Sequence, residues 1–312
     1  MKKLLLAGLA FIASLGFTAR AATVSQLAYF TPTNTGSDQP YPESITKDIL
    51  GNTYLPLTFG RSVVKVSPTG TVTKFADIPD DYLLGATFDP FGNLTVVAGG
   101  TGIWKVTPWG FSYKFSNVTG MGTLNDLVHD YLGNLYVGDD TRELIWKIDM
   151  FGNATIWSTD PFFHDGSSNY PFAEGVNGLA LSPSGRTVYV TNTGEGRIIA
   201  IDIRPNGTAA PGRLIASSLD LVGVDGIKVD WNGDLYVAQN TNFVNTALSN
   251  RIIRVKQDGT VSVIASGGIL NFPTSLILCP GFLDPIILVA NNGDAFFGST
   301  TANQGVVKIT TP

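Results

Sequence analysis

Four oxygen-bearing side chains recur at one place in a repeat. Glu43, Asn125, Asn177 and Asp225 each lie eight residues before the glycine of a repeated turn. Leu84 holds the same place in another copy, and Thr274 holds it approximately in a sixth. Carboxylate and amide oxygens, with no sulfur or imidazole among them, suit a hard cation: Ca2+ before Mg2+, with Mn2+ or Zn2+ as further candidates. Two carboxylates would neutralise a divalent ion. The competing reading is a wet channel lined by polar side chains without an ion. With an ion, the chemistry is polarisation of a carbonyl, and a carboxylate must still activate water or attack directly. Asp225 is the first choice as base or nucleophile. Asp126 is the second; it adjoins Asn125 but is expected to point the other way along an extended strand, where it would orient the ligands.

What must position these residues is legible in the turns. Asp48-Ile-Leu-Gly51-Asn52, Asp89-Pro-Phe-Gly92-Asn93, Asp130-Tyr-Leu-Gly133-Asn134 and Asp230-Trp-Asn-Gly233-Asp234 are near copies. Ser182-Pro-Ser-Gly185 is a looser fifth and Pro280-Gly281 a degenerate sixth. The glycines are 41, 41, 52, 48 and about 48 residues apart. An apolar strand runs into each turn and an alternating strand such as Leu135-Tyr-Val-Gly138 leaves it. A third strand such as Leu144–Ile148 meets a second tight turn at Phe151-Gly152-Asn153, and a fourth follows. Gly and Asn supply the positive φ of tight hairpins. Four antiparallel strands per repeat of about 40–50 residues predict a β-propeller, all-β, with six four-stranded blades. The last repeat stops at a third strand, Val306–Thr310. The segment Val24–Phe30 is expected to complete its sheet and hide two edges.

In that architecture the candidate ligands ring one mouth of a central channel. The long segments 160–175, 239–250 and 291–304 return to the same face, and function favours long loops on a rigid scaffold. Phe162, Phe163, His164, Tyr170 and Phe296, with Thr274, are the expected walls of a substrate pocket; packing of the loops is the competing role for the aromatic residues.

Composition excludes much else. Net charge is −5 over 312 residues, which disfavours a nucleic-acid partner. One cysteine, Cys279, and two histidines, His129 and His164, leave no material for a disulfide or a multi-Cys or multi-His metal site. Cys279 reads as a small hydrophobe, and His129 as a packed inner-strand residue. No Gly-x-Ser-x-Gly elbow, P-loop or dinucleotide fingerprint occurs. Residues 1–21 read as a cleaved signal peptide: Met1-Lys2-Lys3, an apolar run from Leu4 to Phe17, then Ala19-Arg20-Ala21. Cleavage leaves residues 22–312 as one propeller domain, and loss of Lys2, Lys3 and Arg20 takes the net charge to −8. The expected product is a secreted or periplasmic monomer without membrane attachment, acting on a small molecule.

The segments opening each repeat carry a resemblance. Pro42-Glu43-Ser44, Leu124-Asn125-Asp126, Val176-Asn177-Gly178-Leu179-Ala180, Val224-Asp225-Gly226-Ile227 and Phe272-Pro273-Thr274-Ser275 resemble the gluconolactonase/regucalcin family. Diisopropyl-fluorophosphatase and the paraoxonases are more distantly similar. The resemblance implies a six-bladed propeller, a catalytic divalent cation, usually Ca2+, held by Glu43, Asn125, Asn177 and Asp225, and hydrolysis of lactones or other activated esters. Two departures stand out. Glu43-Ser44-Ile45 replaces the usual Glu-Gly-Pro, and Thr123-Leu124 stands where an arginine contacting sugar-type substrates is often found. Strictosidine-synthase-like propellers share the Pro-Glu-Ser but generally lack the two asparagines. Two function classes follow: a metal-dependent lactone or ester hydrolase, and a non-catalytic propeller that binds a ligand or partner through the same mouth.

Overall fold

The computed structural model describes residues 21–166, 169–171, 174–281, 285–293 and 303–311. All of the expected signal peptide except Ala21, and Phe296, lie outside them. Strand β1 (Thr23–Tyr29) opens the chain. Five complete blades follow, each with its strands in chain order from the inside outward. Blade 1 is β2 (Thr46–Lys47), β3 (Thr53–Leu57), β4 (Ser62–Val66) and β5 (Val72–Asp77). Blade 2 is β6 (Leu83–Phe88), β7 (Leu94–Ala98), β8 (Gly102–Val106) and β9 (Ser112–Ser116). Blade 3 is β10 (Leu124–His129), β11 (Leu135–Asp139), β12 (Leu144–Ile148) and β13 (Ala154–Ser158). Blade 4 is β14 (Leu179–Leu181), β15 (Thr187–Asn192), β16 (Arg197–Asp202) and β17 (Arg213–Ser217). Blade 5 is β18 (Val224–Val229), β19 (Leu235–Gln239), β20 (Arg251–Val255) and β21 (Val261–Ser266).

Blade 6 contains β22 (Pro273–Cys279), β23 (Ile286–Asn291) and β24 (Gly305–Thr310), and its fourth strand is β1. Thr23 pairs with Thr310 and Tyr29 with Gly305, antiparallel, so the expected closure is present. The six inner strands touch one another in a ring, β22 meeting β2. The molecule is a six-bladed β-propeller.

Burial follows from this stacking. Second and third strands are sandwiched between blades and are almost wholly buried, whereas outer strands such as β5 expose much of their surface. The core is therefore a set of layers between neighbouring blades. One layer joins Tyr189, Ile198 and Ala200 of blade 4 to Val224, Leu235 and Val237 of blade 5. Another joins Ile277, Leu288 and Val306 to Ile45, Leu55 and Val64 across the closure.

The repeated turn is held by its own side chains. In Asp130–Asn134, Asp130 Oδ1 accepts the N–H groups of Leu132 and Asn134, and Asn134 Nδ2 donates to Asp130 Oδ2 at 2.7 Å. Gly133 sits at φ +83°, a conformation only glycine adopts cheaply. The same bonds recur in the turns at Asp48 and Asp89.

Regularity is broken where the candidate ligands sit. Pairing slips between Leu124 and Leu127, between Val224 and Ile227, and between Leu83 and Ala86. In blades 1 and 4 the inner strand starts only after the ligand position: Glu43 precedes β2 and Asn177 precedes β14. Each slip brackets the candidate position of its blade.

Candidate active site

The residues one step beyond the candidate ligands set how closely the blades approach. A Cβ on Gly178 would meet the carbonyl oxygen of Asp225 at 2.3 Å, and one on Gly226 would meet Ser275 Cα at 2.7 Å. A Cβ on Gly85 would meet Asn125 O at 2.7 Å. Glycine is required there because backbone passes backbone at the narrow end of the channel. Two of the residues that are not glycine bond to the next blade. Ser44 Oγ accepts the Ala86 N–H at 3.2 Å, and Asp126 Oδ2 accepts the Leu179 N–H at 3.0 Å. The Asn-Gly and Asp-Gly pairs thus combine a polar side chain at the mouth with a close strand contact below it.

Glu43, Asn125, Asn177 and Asp225 line one cavity of about 380 Å³, together with Tyr82, Leu84, Thr123, Asp140, Thr141, Tyr170, Glu174, Asn240 and Phe272. The same four reach a narrower space below it, which Asp126 and Thr274 also line. Four residues from four blades therefore share one mouth. Asp126 does not face away as simple alternation would have it: the slip in β10 lets Asn125 and Asp126 border the same space. Asp126 is nonetheless engaged by the Leu179 N–H, beneath the cavity rather than in it.

Loop residues hold the four in place. Asn292 Nδ2 donates to Glu43 Oε2 at 3.2 Å, and Asn240 Nδ2 donates to Asp225 Oδ2 at 2.9 Å. Tyr170 donates its hydroxyl to Asn240 Oδ1 at 3.1 Å. Asn125 Nδ2 donates to Asp140 Oδ2 at 3.4 Å and Asn177 Nδ2 to Glu174 Oε2 at 3.5 Å. With their NH2 groups so occupied, both amides have their oxygens left to offer. Asn177 Oδ1 is buried without a hydrogen-bond partner.

Charge is crowded. Burial, then the negative charge of Asp126, pushes Glu43 above the ordinary carboxylate range, against the pull of Asn292. Burial, then Glu43, Glu174 and Asp126, pushes Asp225 well up, against the pull of Asn240. Burial also pushes Asp140 up to about 7, while the Asn125 amide and the Thr141 N–H pull it down. Glu174, partly exposed by surface area yet crowded by protein atoms, is raised well above its usual value by burial and by Asp140 and Glu43. Carboxylates gathered this way call for a cation or for protons. The donor set fits a hard divalent cation: two carboxylates and two amide oxygens, one of which, Asn177 Oδ1, is unpartnered. Among the described residues no three His, Cys, Asp or Glu side chains form a ready-made metal cluster, so the amide oxygens are essential to that fit.

Other expected residues are placed differently. Tyr170 lines the cavity, and Thr274 lines the space below it while donating to Pro42 O at 3.3 Å. His164 and Phe162 do not line the cavity. His164 is exposed and paired with Glu143 at 2.8 Å, an ion pair that its pKa, raised chiefly by that bond, favours. Phe162 packs against an apolar layer of blades 3 and 4, and Phe163 is buried within it. The short 3-10 turn Pro161–Phe163, capped by Asp160, turns both rings inward. Asp140, Glu174, Asn240 and Asn292 were not anticipated. Asp140 and Asn240 each fall seven residues after their turn glycines, Gly133 and Gly233, a spacing that these two repeats share.

Among curated proteins none matches the sequence. The fold is shared with solved structures at low identity. A gluconolactonase from Xanthomonas campestris is 17% identical, with TM-score 0.64 over 94% of this chain and 98% of that one. Virginiamycin B lyase from Staphylococcus aureus is 13% identical, with TM-score 0.61 over 92% and 88%. An auxiliary nutrient binding protein from Bacteroides ovatus is 14% identical, with TM-score 0.64 over 94% and 77%. The family model described as the SMP-30/Gluconolactonase/LRE-like region matches residues 58–282, well over half of the sequence, and the chain belongs to that family.

Proposed function

We propose that this protein is a divalent-cation-dependent hydrolase of lactones or activated esters, with Ca2+ as the first candidate ion. The observation that carries the reading is the convergence of Glu43, Asn125, Asn177 and Asp225 on one cavity with Asn177 Oδ1 buried and unpartnered. Those four residues would hold the ion. When bound, it would supply a Lewis acid for a substrate carbonyl and for the negative charge that develops on it. Among the described residues Asp225 is held by Asn240 through Oδ2. It is the group to take a proton from water or to attack directly. Asp126, bound to the Leu179 N–H, ties blade 3 to blade 4 and fixes the neighbouring Asn125. Membership of a gluconolactonase-type family supports the reaction class. The same proposal takes residues 1–21 as an export signal and the working protein as secreted or periplasmic; mass spectrometry of the exported protein should find Ala22 at its N-terminus.

The test is turnover of a panel of lactones and aryl esters by metal-loaded and chelator-treated protein. Activity that disappears with chelator and returns with Ca2+ is expected. Metal binding with no turnover of any panel member would leave the mouth as the ligand site of a non-catalytic propeller.

A further inference from the structure

The cavity gathers more carboxyl groups than one divalent ion needs for charge balance. Glu43, Asp140, Glu174 and Asp225 all line it, and among the described residues no Lys, Arg or His does. The nearest cation in sequence, Arg142, is turned away: its guanidinium donates to Gly120 O and lies 5.8 Å from the Trp146 ring. If Glu43 and Asp225 serve the ion, Asp140 and Glu174 are in surplus. Asp140 is only 6% exposed; its Oδ2 accepts the Asn125 amide, while its Oδ1 is buried with no well-aligned hydrogen bond, only the adjacent Thr141 N–H nearby. A buried carboxylate oxygen left unpaired is costly unless a ligand completes it. Three aromatic rings, those of Tyr82, Tyr170 and Phe272, also line it, beside Leu84, Thr123 and Thr141. Tyr82 is backed by Phe59, with ring centroids 5.8 Å apart, and Tyr170 by Phe243 at 5.0 Å. Inorganic divalent ions take oxygen ligands and gain nothing from rings. Carboxylates among aromatic rings are what an organic ammonium group needs.

We propose that Asp140 and Glu174, with Tyr82, Tyr170 and Phe272, form a subsite for a positively charged nitrogen, so that the preferred ester or lactone carries an ammonium group. The proposal rests on the hydrolase reading of the same cavity. It also accounts for the absence of a basic residue toward the substrate: an anionic substrate would be repelled.

The experiment compares choline with its uncharged isostere 3,3-dimethylbutanol, and the acetate esters of both. Calorimetry on the Ca2+-loaded protein should show choline binding at least about tenfold more tightly than the isostere. The ratio of kcat/KM for the charged over the neutral ester should exceed about tenfold and fall toward one in Glu174→Gln and in Asp140→Asn. The wild-type comparison needs no variant to fold. Hydrolysis of both esters at equal efficiency, with no choline binding, would overturn the subsite and leave the hydrolase reading intact. Choline binding without turnover of any ester would keep the subsite and remove the hydrolase. Two Ca2+ ions per chain with choline excluded would assign the surplus carboxylates to a second metal and overturn the proposal.

Discussion

Asp225 is the residue on which base and ligand roles can be separated. Asp225→Asn keeps size and one oxygen while removing the charge. Ca2+ binding, read by calorimetry, should weaken but persist, and turnover should fall by about 10²-fold or more, the scale of a lost general base. Near-normal activity with bound metal would show that Asp225 is a ligand alone. Asn177 tests the ion by stability instead. Its buried Oδ1 has no partner among the described residues, so Asn177→Ala removes a group that costs free energy when no ion is present. The apo-protein should melt at an unchanged or higher temperature, while the rise in Tm on adding Ca2+ should shrink. A variant that keeps the full Ca2+-induced shift would take Asn177 out of the site. His129 makes a third case, away from the cavity. Burial, reinforced by the positive charge of Lys105, lowers its pKa from 6.5 to about 4, and Nε2 lies 3.0 Å from Thr95 Oγ1. The unfolded chain therefore takes up the proton first, and stability, complete above pH 6.5, declines as pH falls toward 4. His129→Gln should flatten that limb, worth up to about 3 kcal/mol, in denaturant titrations across the range.

Between residues and fold lie the turns and the close strand contacts, and these respond differently to the same substitution. Gly133 has φ +83° with nothing within 4 Å of an added Cβ, so Gly133→Ala pays backbone strain alone, about 1 kcal/mol. Gly178 has an ordinary φ, but its Cβ would fall 2.3 Å from Asp225 O. Gly178→Ala must push blade 5 away from blade 4, so it should cost more than Gly133→Ala in thermal melts and also lower Ca2+ affinity. Equal losses would refute the close-contact role. The contrast explains what was readable. The Asp-x-x-Gly-Asn turns announced themselves because their bonds are local, and from them the blade count and the ring of Glu43, Asn125, Asn177 and Asp225 followed. The inward-facing Asp126 was not readable: it depends on a pairing slip in β10, which leaves no local signature. His164 and Phe162 sat on the right loop, yet the capped turn at Pro161–Phe163 directs the rings into the blade layer, and Glu143 captures the imidazole.

At the scale of the whole molecule, closure by β1 was legible because the last repeat lacked a fourth strand and the first had one to spare. What escaped was the traffic between blades, since Asn292 holding Glu43 and Asn240 holding Asp225 are contacts of loops whose length was visible but whose path was not. Deleting residues 23–29 should expose β24 as an unpaired edge. A lower melting temperature and self-association on gel filtration are expected, and an unchanged monomer with an unchanged melt would contradict the closure role. That same seam sets a timetable. Ser25 and Lys308 meet across 283 residues of chain. On a ribosome or a translocation pore that releases the N-terminus first, β1 must wait, unpaired, while five blades are made. No arrangement of those blades can seal the circle early. The mouth, framed by blades on both sides of the seam, therefore becomes a single site only after β24 has been made.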